Sequence, residues 1–123
     1  MAKILVIDDD EMACKLAKKS LERNGHTVLT ASNGRLGLQV YSSIEDIELV
    51  ITDILMPDQD GIGVIIELRH INKDLPVIAI SGGGTFISSD FLQVAKKLGA
   101  AAILKKPCTP DEIRNVVDSV LGY

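Results

Sequence analysis

Five short apolar runs, separated by segments with helical periodicity, constrain the fold of this chain more than any other feature. The runs cover residues 4–7, 28–31, 49–52, 77–80 and 101–104. Val and Ile are common in them, and most lack the strict alternation of apolar and polar residues that marks a half-exposed strand. Each run is therefore predicted to be a strand that is covered on both faces of a sheet.

The segments between and after these runs carry signals for helices. Thr109, Pro110 and Glu112 form a capping box with proline at the first helical position, which predicts the start of the last helix. The other helices are predicted over 11–24, from residue 34, over 62–70 and over 86–98. Strands and helices that alternate five times with short connections predict an α/β fold, in which a parallel sheet has helices on both faces.

Size, charge and cysteine usage narrow the class of protein. The 123 residues are enough for one hydrophobic core, so a single domain over residues 1–123 is predicted. The net charge of −4 argues against non-specific nucleic-acid binding, which needs a basic face. The apolar runs are far too short to span a bilayer. With two cysteines, no CxxC pair and no secretory signal, the expected compartment is a reducing cytoplasm.

Polar residues follow four of the five predicted strands. Asp8 and Asp9 come after the first run, Asp53 after the third, Ser81 after the fourth and Lys106 after the fifth. In an open parallel sheet, ligands bind at the carboxyl ends of the strands. Carboxylates suit a hard cation such as Mg²⁺, which usually takes one or two of them together with phosphate oxygens. A hydroxyl and an ammonium on the other side complete a set that indicates a phosphoryl site.

In this order, the motifs resemble the receiver domain of two-component response regulators, and the resemblance covers the whole chain. The motifs are Asp8-Asp9, Asp53-Ile54-Leu55-Met56-Pro57 continuing to Asp60-Gly61, Ser81-Gly82, and Gly99-Ala100 leading to Lys106-Pro107. The resemblance implies a flavodoxin-like, doubly wound three-layer sandwich with five helices and a five-stranded parallel sheet in the order 2-1-3-4-5.

The resemblance also implies roles for the acidic residues. Asp53 matches the phosphoacceptor, a carboxylate nucleophile that becomes an acyl phosphate. Asp9 matches the direct Mg²⁺ ligand, and Asp8 is its partner, acting through water. Asp53 itself and the backbone carbonyl of Leu55 complete the expected set of metal ligands.

Two further residues match the family's phosphoryl-binding positions. Lys106 is expected to pair with the oxygens of the transferred phosphoryl group, and its bond to Pro107 is expected to be cis. Ser81 is expected to donate its hydroxyl to the same group once Asp53 is modified. Lys105 points the opposite way by strand alternation and is expected to be a solvated surface charge.

Other residues whose side chains could take part in chemistry are assigned structural roles. Asp10 and Glu11 are assigned to helix capping at the start of the first helix, because Asp and Glu favour the first turn, where the helix dipole stabilises negative charge. His26 and His70 lie near helix ends, have no partners at metal-binding spacing and are expected to be exposed. Cys108 is expected to be a packing residue at a position where receivers often have phenylalanine.

The chain departs from the family's pattern at three positions. Ile103 stands where many receivers have the Tyr or Phe that changes rotamer on activation, so an aromatic switch is not expected. Leu55 and Gly83 lie two residues past Asp53 and Ser81, and neither can orient an attacking water through a side-chain hydrogen bond. Slow intrinsic loss of the phosphoryl group is therefore predicted.

The predicted function is a phosphorylation-controlled signalling switch. A histidine kinase or a histidine phosphotransfer protein donates a phosphoryl group to Asp53 with Mg²⁺, and an unknown downstream protein reads the altered surface. A monomer or weak dimer is expected, with no direct contact to nucleic acid or membrane and no enzymatic activity beyond its own phosphorylation and dephosphorylation. Two alternatives stay open: a phosphorylation-independent binding module with the receiver fold, and a haloacid-dehalogenase-like phosphatase, whose D-x-D motif is mimicked by Asp8-x-Asp10.

Overall fold

The computed structural model describes residues 2–54, 61–81, 93 and 95–122, which form a parallel β-sheet between two layers of helices. In chain order the elements are β1 (Lys3–Ile7), α1 (Glu11–Arg23), β2 (Thr27–Ala31), α2 (Gly34–Ser43), β3 (Leu49–Asp53), α3 (Gly61–Ile71), β4 (Val77–Ser81), α4 (helical at 93 and 95–97), β5 (Ala102–Lys105) and α5 (Pro110–Leu121).

The sheet has the predicted order, β2-β1-β3-β4-β5, and every neighbouring pair of strands is parallel. The observed strand ends differ from the predicted ones by one residue at most. The chain order turns back at β1, which has β2 on one side and β3 on the other. In a sheet of this kind, the carboxyl ends of β1 and β3 flank the crevice where ligands bind.

The starts of α1 and α5 follow from the capping residues in the sequence. Asp10 is the N-cap of α1, and its Oδ1 accepts from the backbone N–H groups of Met12 and Ala13 at 3.0 and 3.3 Å. Thr109 and Glu112 form the predicted capping box, with hydrogen bonds of 3.1 and 3.2 Å. An N-cap of this kind contributes about 1 kcal/mol to stability because it satisfies backbone donors that the helix cannot.

The core is divided by the sheet into two parts. Along β1, Ile4 and Val6 pack against the α1 and α5 layer, whereas Leu5 and Ile7 pack against the layer that contains α3. All four side chains are almost fully buried. This burial on both faces explains why the strand sequences are continuous apolar runs without alternation.

The expectation that His26 is exposed is wrong. His26 is buried, with 4% of its surface accessible, and its Nδ1 accepts a hydrogen bond of 3.1 Å from the backbone N–H of Ala2. The backbone of Thr27 also donates to the carbonyl of Ala2 at 3.0 Å, so the start of β2 holds the imidazole against the start of β1. His70 is exposed, as predicted.

Among the described residues, no helix combines the length and the apolar character needed to cross a membrane.

Candidate functional site

Four polar side chains lie where strands of the sheet end. Asp8 directly follows β1, Asp53 and Ser81 are the last residues of β3 and β4, and Lys106 directly follows β5. Because all the strands are parallel, these ends share one edge of the sheet. Asp8, Asp53 and Ser81 are buried, and buried carboxylates are costly unless positive charge or hydrogen bonds compensate them.

The carboxylates of Asp8, Asp9 and Asp53 form an acidic cluster, in which one oxygen of each residue lies within 4.8 Å of the others. Asp8 and Asp53 are buried and Asp9 is exposed, so the cluster opens to solvent on the side of Asp9. Carboxylate oxygens in a partly open site suit Mg²⁺, which keeps several waters and demands oxygen ligands. The donor set at this edge therefore fits the predicted ion.

Asp8 is held by hydrogen bonds to both of its carboxylate oxygens. Oδ1 accepts from the backbone N–H of Asp10 at 2.9 Å, and Oδ2 contacts the Lys106 ammonium at 2.7 Å. The carbonyl of Asp8 accepts from the Cys14 thiol at 3.3 Å. Burial, together with the nearby Asp8 charge, raises the pKa of Cys14 to about 11, so this thiol keeps its proton and remains a donor.

Lys106 bridges the two buried carboxylates. Its Nζ lies 2.7 Å from Oδ2 of Asp8 and 3.1 Å from Oδ2 of Asp53. Burial alone would lower the pKa of Lys106, but the hydrogen bonds to Asp8 and Asp53 outweigh burial and raise it, so the ammonium stays charged. The Lys106-Pro107 peptide bond is cis and Lys105 is exposed, as predicted.

Backbone contacts determine where Asp53 lies. The N–H of Gly61, the first residue of α3, donates to the carbonyl of Ile54 at 2.6 Å. A Cβ at Gly61 would lie 2.0 Å from the carbonyl oxygen of Asp53, so only glycine lets α3 begin this close to the end of β3. The Thr52 hydroxyl donates to the same Asp53 carbonyl at 3.0 Å. The Asp53 carboxylate is thus carried by a strand end that these backbone contacts hold in place.

The remaining predicted residues are placed as follows. The backbone N–H of Lys106 donates to the carbonyl of Ser81 at 2.8 Å, so these two residues are neighbours. Leu55, the predicted carbonyl ligand, lies outside the described residues, as do 56–60 and 82–84. The sequence does not predict the ion pair between Lys106 and Asp8, because the family pattern assigns Lys106 to the phosphoryl group. Nothing in the local sequence signals a contact between residues so far apart in the chain.

A flavodoxin-like α/β sheet with three clustered carboxylates and a lysine at its carboxyl edge defines the class of this protein. The chain belongs to the response regulator receiver domain family, whose model matches residues 4–118. Receiver domains of this family are signalling modules of two-component systems and are generally not classed as enzymes.

Similar proteins support the assignment. The chain is 31% identical to a chemotaxis protein CheY homolog of Campylobacter jejuni over 123 residues, which cover 98% of this chain and 92% of that protein. It is 34% identical to the alkaline phosphatase synthesis transcriptional regulatory protein PhoP of Bacillus subtilis over 97% of this chain but only 48% of PhoP. This chain therefore spans about half of the length of that relative.

Solved structures agree with the fold. A response regulator receiver domain protein of Clostridium thermocellum is similar with a TM-score of 0.89 and 34% identity, over 99% of this chain and 95% of that one. The chemotaxis protein CheY4 of Vibrio cholerae is similar with a TM-score of 0.88 and 27% identity, over 98% of both chains.

Proposed function

We propose that this chain is a phosphorylation-controlled switch that accepts a phosphoryl group on Asp53. The observation that supports this most strongly is the acidic cluster of Asp8, Asp9 and Asp53, bridged by the Lys106 ammonium at the carboxyl edge of the sheet. Membership of the receiver family adds independent support, because an acceptor aspartate at this place is typical of the family.

In the proposed reaction, a carboxylate oxygen of Asp53 attacks the phosphorus of the donor and forms a new O–P bond. The bond from phosphorus to the donor's leaving atom breaks, and that atom keeps the electron pair and takes a proton from solvent. Asp8, Asp9, Asp53 and the carbonyl of Leu55 would hold Mg²⁺, which neutralises negative charge on the carboxylates and the phosphoryl oxygens.

Lys106 and Ser81 stabilise the product in this proposal. Lys106 is charged and lies 3.1 Å from Asp53, so a small movement of its ammonium brings it to the new phosphoryl oxygens. That movement gives up the contact with Asp8, whose charge the bound Mg²⁺ compensates. Ser81 ends β4 beside the Lys106 backbone, from which its hydroxyl would reach the phosphoryl group. These new contacts bias the equilibrium between two surface states.

The proposed partners follow from this role. The donor is a histidine kinase or a histidine phosphotransfer protein, and a downstream protein reads the phosphorylated surface. We further propose that residues 1–123 form one receiver domain, which is monomeric or weakly dimeric, acts in the cytoplasm and makes no direct contact with nucleic acid or membrane. Slow loss of the phosphoryl group, inferred from Leu55 and Gly83, stays a prediction.

The test is intact-mass spectrometry after incubation with acetyl phosphate, with and without MgCl₂. We expect a Mg²⁺-dependent gain of one phosphoryl group that disappears in Asp53→Asn and persists in Asp118→Asn, a control carboxylate on α5. Borohydride reduction of the acyl phosphate followed by peptide mapping identifies the acceptor. Labelling of Asp8 would favour the phosphatase alternative, and no gain under any condition would favour a phosphorylation-independent binding module.

A further inference from the structure

A cavity of about 400 Å³ lies beside the acidic cluster, between α1, the end of β4 and the segment that leads into α5. Its walls are mainly apolar, and include Val6, Leu16, Ile80 and Ile113. Sites for small molecules usually have volumes of about 300–1,000 Å³, apolar walls and a few polar groups that orient the ligand. The cavity has these properties, and the proposed phosphoryl transfer uses only Asp8 and Lys106 of its lining.

The wall of the cavity that α5 forms is anchored to α1 by a hydrogen bond. The Ser20 hydroxyl on α1 donates to the carbonyl of Pro110 at 3.1 Å, which ties the first residue of α5 to α1. Cys108 lines the cavity with a small side chain and donates to the carbonyl of Lys105 at 3.0 Å. Burial, and then the charge of Glu112, raise the pKa of Cys108, so this part of the wall is uncharged at neutral pH.

The lip of the cavity exposes apolar side chains that a bound molecule would cover. Met12 and Leu16 line the cavity, and 64% and 52% of their surfaces are accessible. They lie four residues apart on α1 and therefore share one face of the helix. Covering this area is favourable because apolar surface is removed from water.

The polar end of the cavity is negative. Asp8, Asp10 and Lys106 line it, and the Lys106 ammonium is already bound by Asp8 and Asp53. Asp10 is exposed, and its neighbour Asp9 adds a further exposed carboxylate. The ammonium of Lys106 does not balance the carboxylates of Asp8, Asp9, Asp10 and Asp53, so the net charge at this end is negative and attracts a cation rather than an anion.

We propose that the cavity binds a small organic cation with an apolar body, with its ammonium at Asp8 and Asp10 and its body between Leu16, Ile80 and Ile113. Binding of this kind does not require phosphorylation. It uses the carboxylate of Asp8 that also belongs to the acidic cluster, so Mg²⁺ and the organic cation compete for the same negative charge. Occupancy of the cavity would thus weaken loading of the phosphorylation site.

The experiment compares three probes of matched shape, 4-phenylbutylamine, 4-phenylbutanol and 4-phenylbutyrate, by NMR titration of the full chain in metal-free buffer. We expect the amine to shift the signals of Ala13, Ala17 and Ile113, with an affinity of about 1 mM, as is usual for a ligand this small. It should bind roughly fivefold more tightly than the alcohol, and this preference should shrink at high salt because the charges are near solvent. Added MgCl₂ should weaken binding of the amine only.

Substitutions at Cys108 and Leu16 locate the site. Cys108→Phe fills the cavity and should weaken amine binding about tenfold or more, whereas Cys108→Ser keeps the size of the side chain and should not. If Cys108→Phe does not fold, Leu16→Lys at an exposed position places positive charge at the lip and should weaken binding of the amine more than binding of the alcohol, which loses only its apolar contact with Leu16. Equal affinities for all three probes, no binding, or binding unchanged in Cys108→Phe would each overturn the proposal. The acetyl phosphate assay is read separately, so failure here leaves the proposed switch function unaffected.

Discussion

The two ends of the sheet both bury polar side chains, but they satisfy them in opposite ways. At the amino end, Nδ1 of His26 accepts a hydrogen bond from the backbone N–H of Ala2. At the carboxyl end, Asp8 and Asp53 are buried as neighbouring carboxylates and share the ammonium of Lys106. The first contact joins a side-chain acceptor to a backbone donor, whereas the second joins two carboxylates to an ammonium.

This difference separates a structural polar contact from a functional one. A buried acceptor that is hydrogen-bonded to a backbone donor stabilises one conformation and does not bind a ligand. A pair of buried carboxylates with a single lysine is incompletely neutralised, so a divalent cation or a change of charge on Asp53 alters its energy strongly. We expect the carboxyl end to respond to metal and to substitutions of charge, and the amino end to respond only to loss of packing or of its hydrogen bond.

The largest effect is expected for Lys106→Met. The variant leaves the carboxylates of Asp8 and Asp53 without their ammonium, and breaking a buried ion pair costs about 3–5 kcal/mol. Lys106 is 20% exposed, so solvent screens the pair and we expect a loss at or below the lower limit of that range, about 2–3 kcal/mol in the free energy of unfolding measured by urea denaturation without metal.

Lys105→Met is the matched control, because Lys105 is adjacent but exposed. It should change stability by about 0.5 kcal/mol at most. MgCl₂ should stabilise Lys106→Met more than the unmodified chain, because the ion becomes the main countercharge for the acidic cluster. Equal losses in both variants, or the same response to MgCl₂, would show that the carboxyl end is not held by this ion pair.

A smaller effect is expected for His26→Phe at the amino end. The ring is kept, but the backbone N–H of Ala2 loses its acceptor, and a buried unsatisfied donor costs about 1–2 kcal/mol. His70→Phe, at an exposed position of α3, should cost about 0.5 kcal/mol or less. The loss in His26→Phe should not depend on MgCl₂. Any dependence on the ion would mean that the two ends of the sheet are coupled.

The features predicted correctly from the sequence are those that local sequence patterns determine. Strand runs, the Asp10 and Thr109 caps, and the placement of Asp8 and Asp53 at strand ends each depend on a few consecutive residues. The family motif then added the sheet order, which no local pattern contains.

Burial and pairing between distant segments could not be predicted in the same way. Ala2 and His26 are 24 residues apart, and their contact depends on how β1 and β2 align. The Lys106 to Asp8 ion pair and the cavity beside Cys108 likewise depend on how the segment before α5 lies against the end of β1. Such contacts depend on tertiary packing. The identity of a single residue does not predict which distant residue it will contact.

The smallest effect is a change in the pH dependence of stability caused by Cys14, the neutral donor beneath the acidic cluster. Its pKa is raised from 9.0 to about 11 by burial, so the native chain binds the thiol proton more tightly than the unfolded chain does. This contribution is fully present below pH 9.0 and is lost as pH rises toward 11, because unfolding then releases the proton. After allowance for partial screening by solvent, the loss should be about 1–2 kcal/mol.

The variant Cys14→Ala tests this contribution by urea denaturation at several pH values. Whatever its effect at neutral pH, the variant should reduce the fall in unfolding free energy between pH 9.0 and 11 by this amount. An unchanged slope would mean that the native chain does not bind the Cys14 proton more tightly than the unfolded chain does.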